Sequence, residues 1–327
     1  MYKEKRLSVS EFVPIRGLNY HVRVWKSLEA TSVGAAPPLV LVHGWMDVAA
    51  SYQFMVDALQ DAFVAGRTII APDWRGFGLT TGGPTDNFWF PDYLADLDFL
   101  IDHCINKDAD GTSSADKVSN QQVDLLGHSM GGNIAMMYAG VRPERIRRLI
   151  NLEGFGLGPS KPSQAASRYA KWLDELKSLA RGELDLKVYP DIGGVVSRLI
   201  KTNPRLSVDK AHWLAQHWAR QNAAGSWQIR GEPGHKVTSA HIYKVDETVE
   251  IYKRITAPVL AVEAESAAQS LAQWNQGRYT LADYHARLKH IPHAQVAVVL
   301  DAGHMLHHDQ PDALAALIEG FLGAANA

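Results

Sequence analysis

Along most of the chain, short apolar runs that stop on glycine, histidine or an acid alternate with amphipathic stretches of helical period. Leu7 to Ser27 alternates apolar and polar positions around Arg16-Gly-Leu-Asn19, which predicts two antiparallel strands at a sheet edge. Pro37 to Val42 is continuously apolar and ends on His43-Gly-Trp45-Met-Asp47, the pattern of a central parallel strand covered on both faces. Ala49 to Leu59 then reads as an amphipathic helix. A second buried run, Arg67 to Asp73, enters the tight turn Trp74-Arg75-Gly76-Phe77-Gly78. Pro91 to Ile105 reads as a helix with Asp92, Asp96 and Asp98 on or near its polar face, and Asn106 to Gln121 as an exposed flexible loop. Val123 to His128 is another buried strand, followed by one tight turn and a helix reaching Tyr138. Arg147 to Leu152 repeats the strand pattern and stops on Glu153-Gly154.

From Pro159 to Thr256 the alternation ends and helical spacing dominates, as in Ala170 to Leu176 and Ala211 to Trp218. Ala257 to Val262 and His293 to Asp301 resume the strands, and Asp312 to Leu322 predicts a closing amphipathic helix. The division expected is a core α/β domain in two parts, residues 1–155 and 257–327, with 156–256 as a helical cap or lid over the edge from which it springs. Within that cap, Trp172, Trp213, Trp218 and Trp227 are candidates to line an apolar substrate pocket, although packing within the lid is the commoner use of any one of them.

Composition narrows the function classes. A net charge of −2 and a pI near 6.7 build in no attraction to nucleic acid or to an anionic membrane. The one cysteine, Cys104, lies on an apolar helix face and reads as packing. The charged N-terminus has no apolar segment after it and no run is long enough to span a bilayer, so a soluble, cytoplasmic monomer or homodimer acting on a small molecule is expected.

The candidate chemistry centres on Gly127-His-Ser129-Met-Gly131 between strand and helix. A serine at so sharp a bend has strained backbone angles, and glycines are needed where a Cβ would collide with neighbouring backbone. The bend aims Ser129 Oγ out of the sheet and leaves the Met130 N–H unpaired at a helix start, half of an oxyanion hole. His304 follows the final strand beside Gly303 and so lies on the same sheet edge as Ser129, where a base is required. The spacing of His307 and His308 from His304 could suggest a metal site. No carboxylate-rich motif accompanies them, so packing is expected, as is a structural role for His128 and a loop-fixing role for Asp73.

Taken together, His43-Gly-Trp45, Pro72-Asp-Trp-Arg-Gly-Phe-Gly78, Gly127-His-Ser-Met-Gly131 and Gly303-His304 with Pro311 resemble the α/β-hydrolase superfamily in order and spacing. The His-Gly-Trp-Met-Asp and Leu-Glu-Gly-Phe-Gly segments are similar to its serine hydrolase-like branch. The resemblance implies a mostly parallel sheet flanked by helices, a triad of nucleophile, base and acid, and an oxyanion hole from the N–H groups of Trp45 and Met130. It also implies an acid after the strand that begins at Pro258, but Ala267 falls at the usual aspartate position. Some members carry a glutamate after the preceding strand instead. Glu153 matches that placement, with Glu265 the alternative. Dehalogenation, as in haloalkane dehalogenases, is disfavoured because it needs an aspartate where Ser129 stands. The function expected is hydrolysis of a small to medium hydrophobic ester through an acyl-enzyme, with no metal or organic cofactor. The alternatives are C–C bond hydrolysis, a cofactor-free lyase reaction on the same site, or ligand binding without catalysis.

Overall fold

The computed structural model describes residues 2–26, 36–105 and 121–324. The loop anticipated from Asn106 to Gln121 falls on 106–120, outside the described residues. The strands are β1 (Val9–Ile15), β2 (Leu18–Trp25), β3 (Leu39–Val42), β4 (Ile69–Pro72), β5 (Thr81–Gly82), β6 (Val123–His128), β7 (Ile146–Leu152), β8 (Val188–Tyr189), β9 (Ala219–Gln221), β10 (Trp227–Ile229), β11 (Val259–Ala264) and β12 (Ala294–Val299). The main sheet runs β1-β2-β4-β3-β6-β7-β11-β12, with β5 also pairing β2. From β4 to β12 every pairing is parallel, whereas β1–β2 and β2–β4 are antiparallel. Helix connections force this arrangement: a parallel neighbour needs a crossover, and the tight turn at Arg16-Gly17 allows only a hairpin.

The apolar runs explain which strands lie in the middle. All residues of β3, β4 and β6 are buried, because helices cover both faces of the sheet there. On one face Leu97, Leu100, Tyr138 and Tyr252 join the core; on the other, Tyr52, Met55, Leu306 and Ile318 do so. The last of these belongs to the closing helix Pro311–Gly323, which packs against Gln53–Ala58.

The helix Phe90–Ile105 corrects one sequence expectation, since Asp96 is fully buried and not on a polar face. Arg75 donates to it bidentately at 2.6 and 2.7 Å, Arg16 at 2.8 Å and the Tyr20 hydroxyl at 3.0 Å. A carboxylate out of water is tolerable only when satisfied in this way, and here it anchors the turn after β4 to the helix. Asp96→Ala leaves the buried Arg75 guanidinium with Asp92, at 3.4 Å, as its remaining counter-charge and should cost about 3 kcal/mol, read as a lowered midpoint in urea denaturation.

Residues 156–256 contain the helices Ala165–Ala180, Ile192–Thr202, Val208–Trp218 and Val245–Tyr252. They also contain a small antiparallel sheet, β8-β10-β9, which the helical reading of this stretch did not anticipate. Its strands are two or three residues long, too short for alternation to be legible. This segment is stitched to the core: Gly78 N donates to Arg230 O at 3.0 Å and Glu232 N to Gly76 O at 2.9 Å. Helices Ala267–Asn275 and Leu281–Leu288, between β11 and β12, were also not evident from periodicity.

Candidate active site

Three loops meet at the carboxyl ends of the parallel strands, and each contains a non-glycine residue in the left-handed region: Met46 (φ 55°), Ser129 (φ 53°) and Glu153 (φ 56°). Such backbone costs on the order of 1–3 kcal/mol per residue and persists only where surrounding contacts enforce it. At Ser129 the enforcing contacts are backbone to backbone. Its N–H donates to Leu152 O at 2.8 Å, and its carbonyl accepts from Asn133 N at 3.0 Å as the helix Met130–Val141 begins. Gly131 is needed for close approach, because a Cβ there would lie 2.1 Å from Val42 O; at Gly127 it would lie 2.3 Å from Gly131 O. Met130 is the first residue of that helix, so its N–H has no helical acceptor and is free to meet negative charge. Trp45 stands on the loop across from the elbow, 53 % exposed. Gly44 lets that loop approach: a Cβ on it would sit 3.2 Å from Ser129 Cβ.

Glu153 directly follows β7 with its side chain fully buried, and the His304 side chain is 23 % exposed. Glu153 Oε1 accepts from Ala264 N at 2.7 Å, and His304 Nδ1 lies 3.2 Å from Oε2. When Glu153 is ionised, that oxygen accepts, Nδ1 carries the proton and Nε2 keeps its lone pair. His304 is further fixed through its backbone, since His128 Nε2–H donates to His304 O at 2.7 Å and the two rings lie 4.7 Å apart. His128 directly precedes Ser129, so the imidazole loop is fastened to the elbow itself. Among the described residues no hydrogen bond joins Ser129 Oγ to an imidazole, and such bonds often tighten only when substrate is bound. Burial lowers His304 to about 3 and raises Glu153 to about 8, the latter partly offset by the Ala264 N–H. Both shifts have one leading cause: burial leaves the charged form of each group poorly solvated.

The other candidates are placed as follows. Glu265 is exposed and its Oε2 accepts from Asp301 N at 3.0 Å, so its carboxylate is engaged away from His304. Asp73 is buried and fixes loops: its oxygens accept from Ala49 N at 2.7 Å and Leu79 N at 2.8 Å, and His21 Nδ1 lies at 2.7 Å. Burial alone would raise Asp73, but the His21 contact and its other partners outweigh it and hold the carboxyl below its usual range. Trp218 Nε1 donates to Met46 O at 2.9 Å, and Trp213 packs edge-on against Tyr2 and Phe54. Both are thus committed to holding residues 156–256 against the core. Trp227 packs in the same cluster, and Trp172 is half-buried on the helix Ala165–Ala180. A cavity of about 240 Å³ opens beside this segment, lined in part by Arg75, Gly78, Arg220, Arg230 and Glu232, none of them a tryptophan.

Sequence reasoning missed Trp274, whose ring meets the His304 imidazole at 4.2 Å and 77°, itself 54 % exposed. It comes from the helix Ala267–Asn275, which starts at the position where the family's usual aspartate would fall. Recognising that helix was the signal needed, because Trp274 lies two turns beyond Ala267.

This arrangement of sheet, elbow and histidine agrees with what the chain is similar to. The profile of the alpha/beta hydrolase fold family matches residues 37–311. The chain belongs to that family and is a hydrolase, and serine hydrolase-like proteins are among its relatives. It is 23% identical over 292 residues to a serine hydrolase-like protein of Danio rerio, covering 87% of this chain and 81% of that one. It is 25% identical over 298 residues to the cis-3-alkyl-4-alkyloxetan-2-one decarboxylase of Shewanella oneidensis, covering 88% and 83% respectively. Among solved structures, the thioesterase domain from the curacin biosynthetic pathway superposes with a TM-score of 0.75 at 23% identity, over 95% of this chain and 99% of that one. No helix among the described residues is long and apolar enough to cross a membrane.

Proposed function

We propose that the chain hydrolyses a small to medium carboxylic ester through an acyl-enzyme on Ser129, with His304 as base, Glu153 as the orienting acid and residues 156–256 as a cap. The observation that carries this reading is the buried Glu153–His304 pair, held by its backbone to the residue before Ser129. Ser129 Oγ attacks the carbonyl carbon while His304 Nε2 takes its proton. The carbonyl π electrons move to oxygen, which accepts hydrogen bonds from the Met130 and Trp45 N–H groups. The tetrahedral intermediate collapses, the alkoxide leaves with the proton from Nε2, and water repeats the sequence to release the acid. Trp274, beside the imidazole and half exposed, supports an apolar substituent on the substrate.

The Shewanella relative makes a β-lactone a second substrate to try, because an oxetan-2-one is a cyclic ester that the same serine can open. A panel of p-nitrophenyl esters and an alkyl oxetanone, followed by product analysis, tests both. Hydroxy acid from the lactone supports hydrolysis, alkene and carbon dioxide support the decarboxylase reading, and turnover of neither removes both.

The Glu153 shift sets the pH profile. Below about 8 the pair holds a proton that must be lost before Nε2 can act as base. The rate kcat/KM is therefore expected to climb with pH and level off above about 8, with no further change near 6.5. A flat profile from pH 6 to 9 would exclude this pair as the titrating base.

A further inference from the structure

Directly beneath the elbow lies a cluster that the proposed reaction does not use. Asp47, His128 and His307 are all buried, and each offers a ligand atom within 4.8 Å of the others. Their polar atoms are left over after every protein contact is counted: Asp47 Oδ2, His128 Nδ1 and His307 Nδ1 have no hydrogen-bond partner. Such orphans are costly inside a protein and call for an occupant. The tautomer at His128 is already determined, since its Nε2–H donates to His304 O at 2.7 Å and Nδ1 must then present a lone pair. His307 Nε2 faces Ser51 Oγ at 3.4 Å, which turns its Nδ1 away from that hydroxyl. Gly44 borders the space: a Cβ there would come within 3.1 Å of His128 Nδ1. The sequence reading discounted a metal at His307 for want of an acidic partner. The partner is supplied by the far end of the chain, 260 positions earlier, on the loop after β3.

We propose that Asp47, His128 and His307 bind one divalent transition-metal ion of the zinc class. Two imidazoles and one carboxylate are the donor set such ions take, with a water or hydroxide completing four-coordination. Tetrahedral bonds of about 2.0–2.2 Å place ligand atoms roughly 3.4 Å apart, so an inward movement of no more than about 1.5 Å closes the site. Each ligand sits close to a group in the proposed reaction: Asp47 is two residues from Trp45, His128 adjoins Ser129, and His307 is three residues from His304. One ion would cross-link the loop after β3, the elbow and the segment after β12 that carries His304. It stays behind the elbow and acts by positioning, with no part in bond making.

The test uses the full chain without an affinity tag, stripped by a chelator and then dialysed with zinc or cobalt(II). The result expected is one zinc per chain by elemental analysis, a rise of several degrees in Tm with one equivalent of zinc, and the strong visible absorption of four-coordinate cobalt. Asp47→Asn and His307→Gln should each lose the stoichiometric metal and the Tm response. If those variants fail to fold, the cobalt spectrum of the native chain still decides, because a six-coordinate surface ion absorbs only weakly. No uptake and an unmoved Tm would mean that water alone fills the cluster and would overturn the proposal. So would full stoichiometry retained in both variants. None of these readings depends on turnover, so the site can fail while the ester reaction stands.

Discussion

Ser129→Ala is expected to lower kcat on a p-nitrophenyl ester by about 10⁴-fold or more, with KM little changed. In the proposed mechanism the hydroxyl enters the covalent intermediate, whereas substrate binding draws on the proposed cap and oxyanion donors, which the substitution leaves in place. A residual rate above that of water should remain for the same reason. Stability should stay near that of the native chain. Ser129 sits at φ 53°, ψ −115° with no side-chain capping bond, so removing Oγ forfeits no hydrogen bond within the fold. Steady-state kinetics together with fluorophosphonate labelling check the outcome. Full activity in the variant, or labelling at another residue, would displace Ser129 as nucleophile.

The features readable from the chain alone were those set by local chemistry. Continuous apolar runs gave β3, β4 and β6 because strands covered on both faces need no polar positions. The elbow was readable because its glycines are a steric requirement: a Cβ on Gly131 would lie 2.1 Å from Val42 O. What stayed hidden depended on distant partners. Asp96 looks like one more polar position of a helix until Arg75, Arg16 and Tyr20 converge on it. Trp213 and Trp218 resemble pocket residues until their partners, Phe54 and Met46, are seen on the core side. The choice of a candidate acid was ambiguous for the same reason, since Glu153 and Glu265 each directly follow a strand. What separates them in space is the Ala264 N–H, which clamps Glu153 Oε1 and turns Oε2 toward His304.

Glu153→Gln should separate activity from stability at that clamp. The amide oxygen can still accept from Ala264 N–H, but the amide nitrogen then faces His304 Nδ1 as a donor. The imidazole proton must move to Nε2, where it blocks uptake of the serine proton, and kcat is expected to fall about 10⁴-fold with little change in structure. Stability has the opposite sign. The folded carboxyl titrates at about 8 against 4.5 for the free group, so the stability present below about 4.5 is lost as pH rises through about 8. Glutamine does not ionise and escapes that loss, so the Tm of the variant relative to the native chain should increase between pH 5 and pH 9. Thermal denaturation at those two pH values and steady-state kinetics on one ester measure both effects. If kcat stays within tenfold of native, the orienting acid lies elsewhere, with Glu265 the next residue to replace. If kcat falls while the Tm difference is the same at both pH values, Glu153 still orients the base but does not hold the shared proton, and the alkaline rise in rate must come from another group.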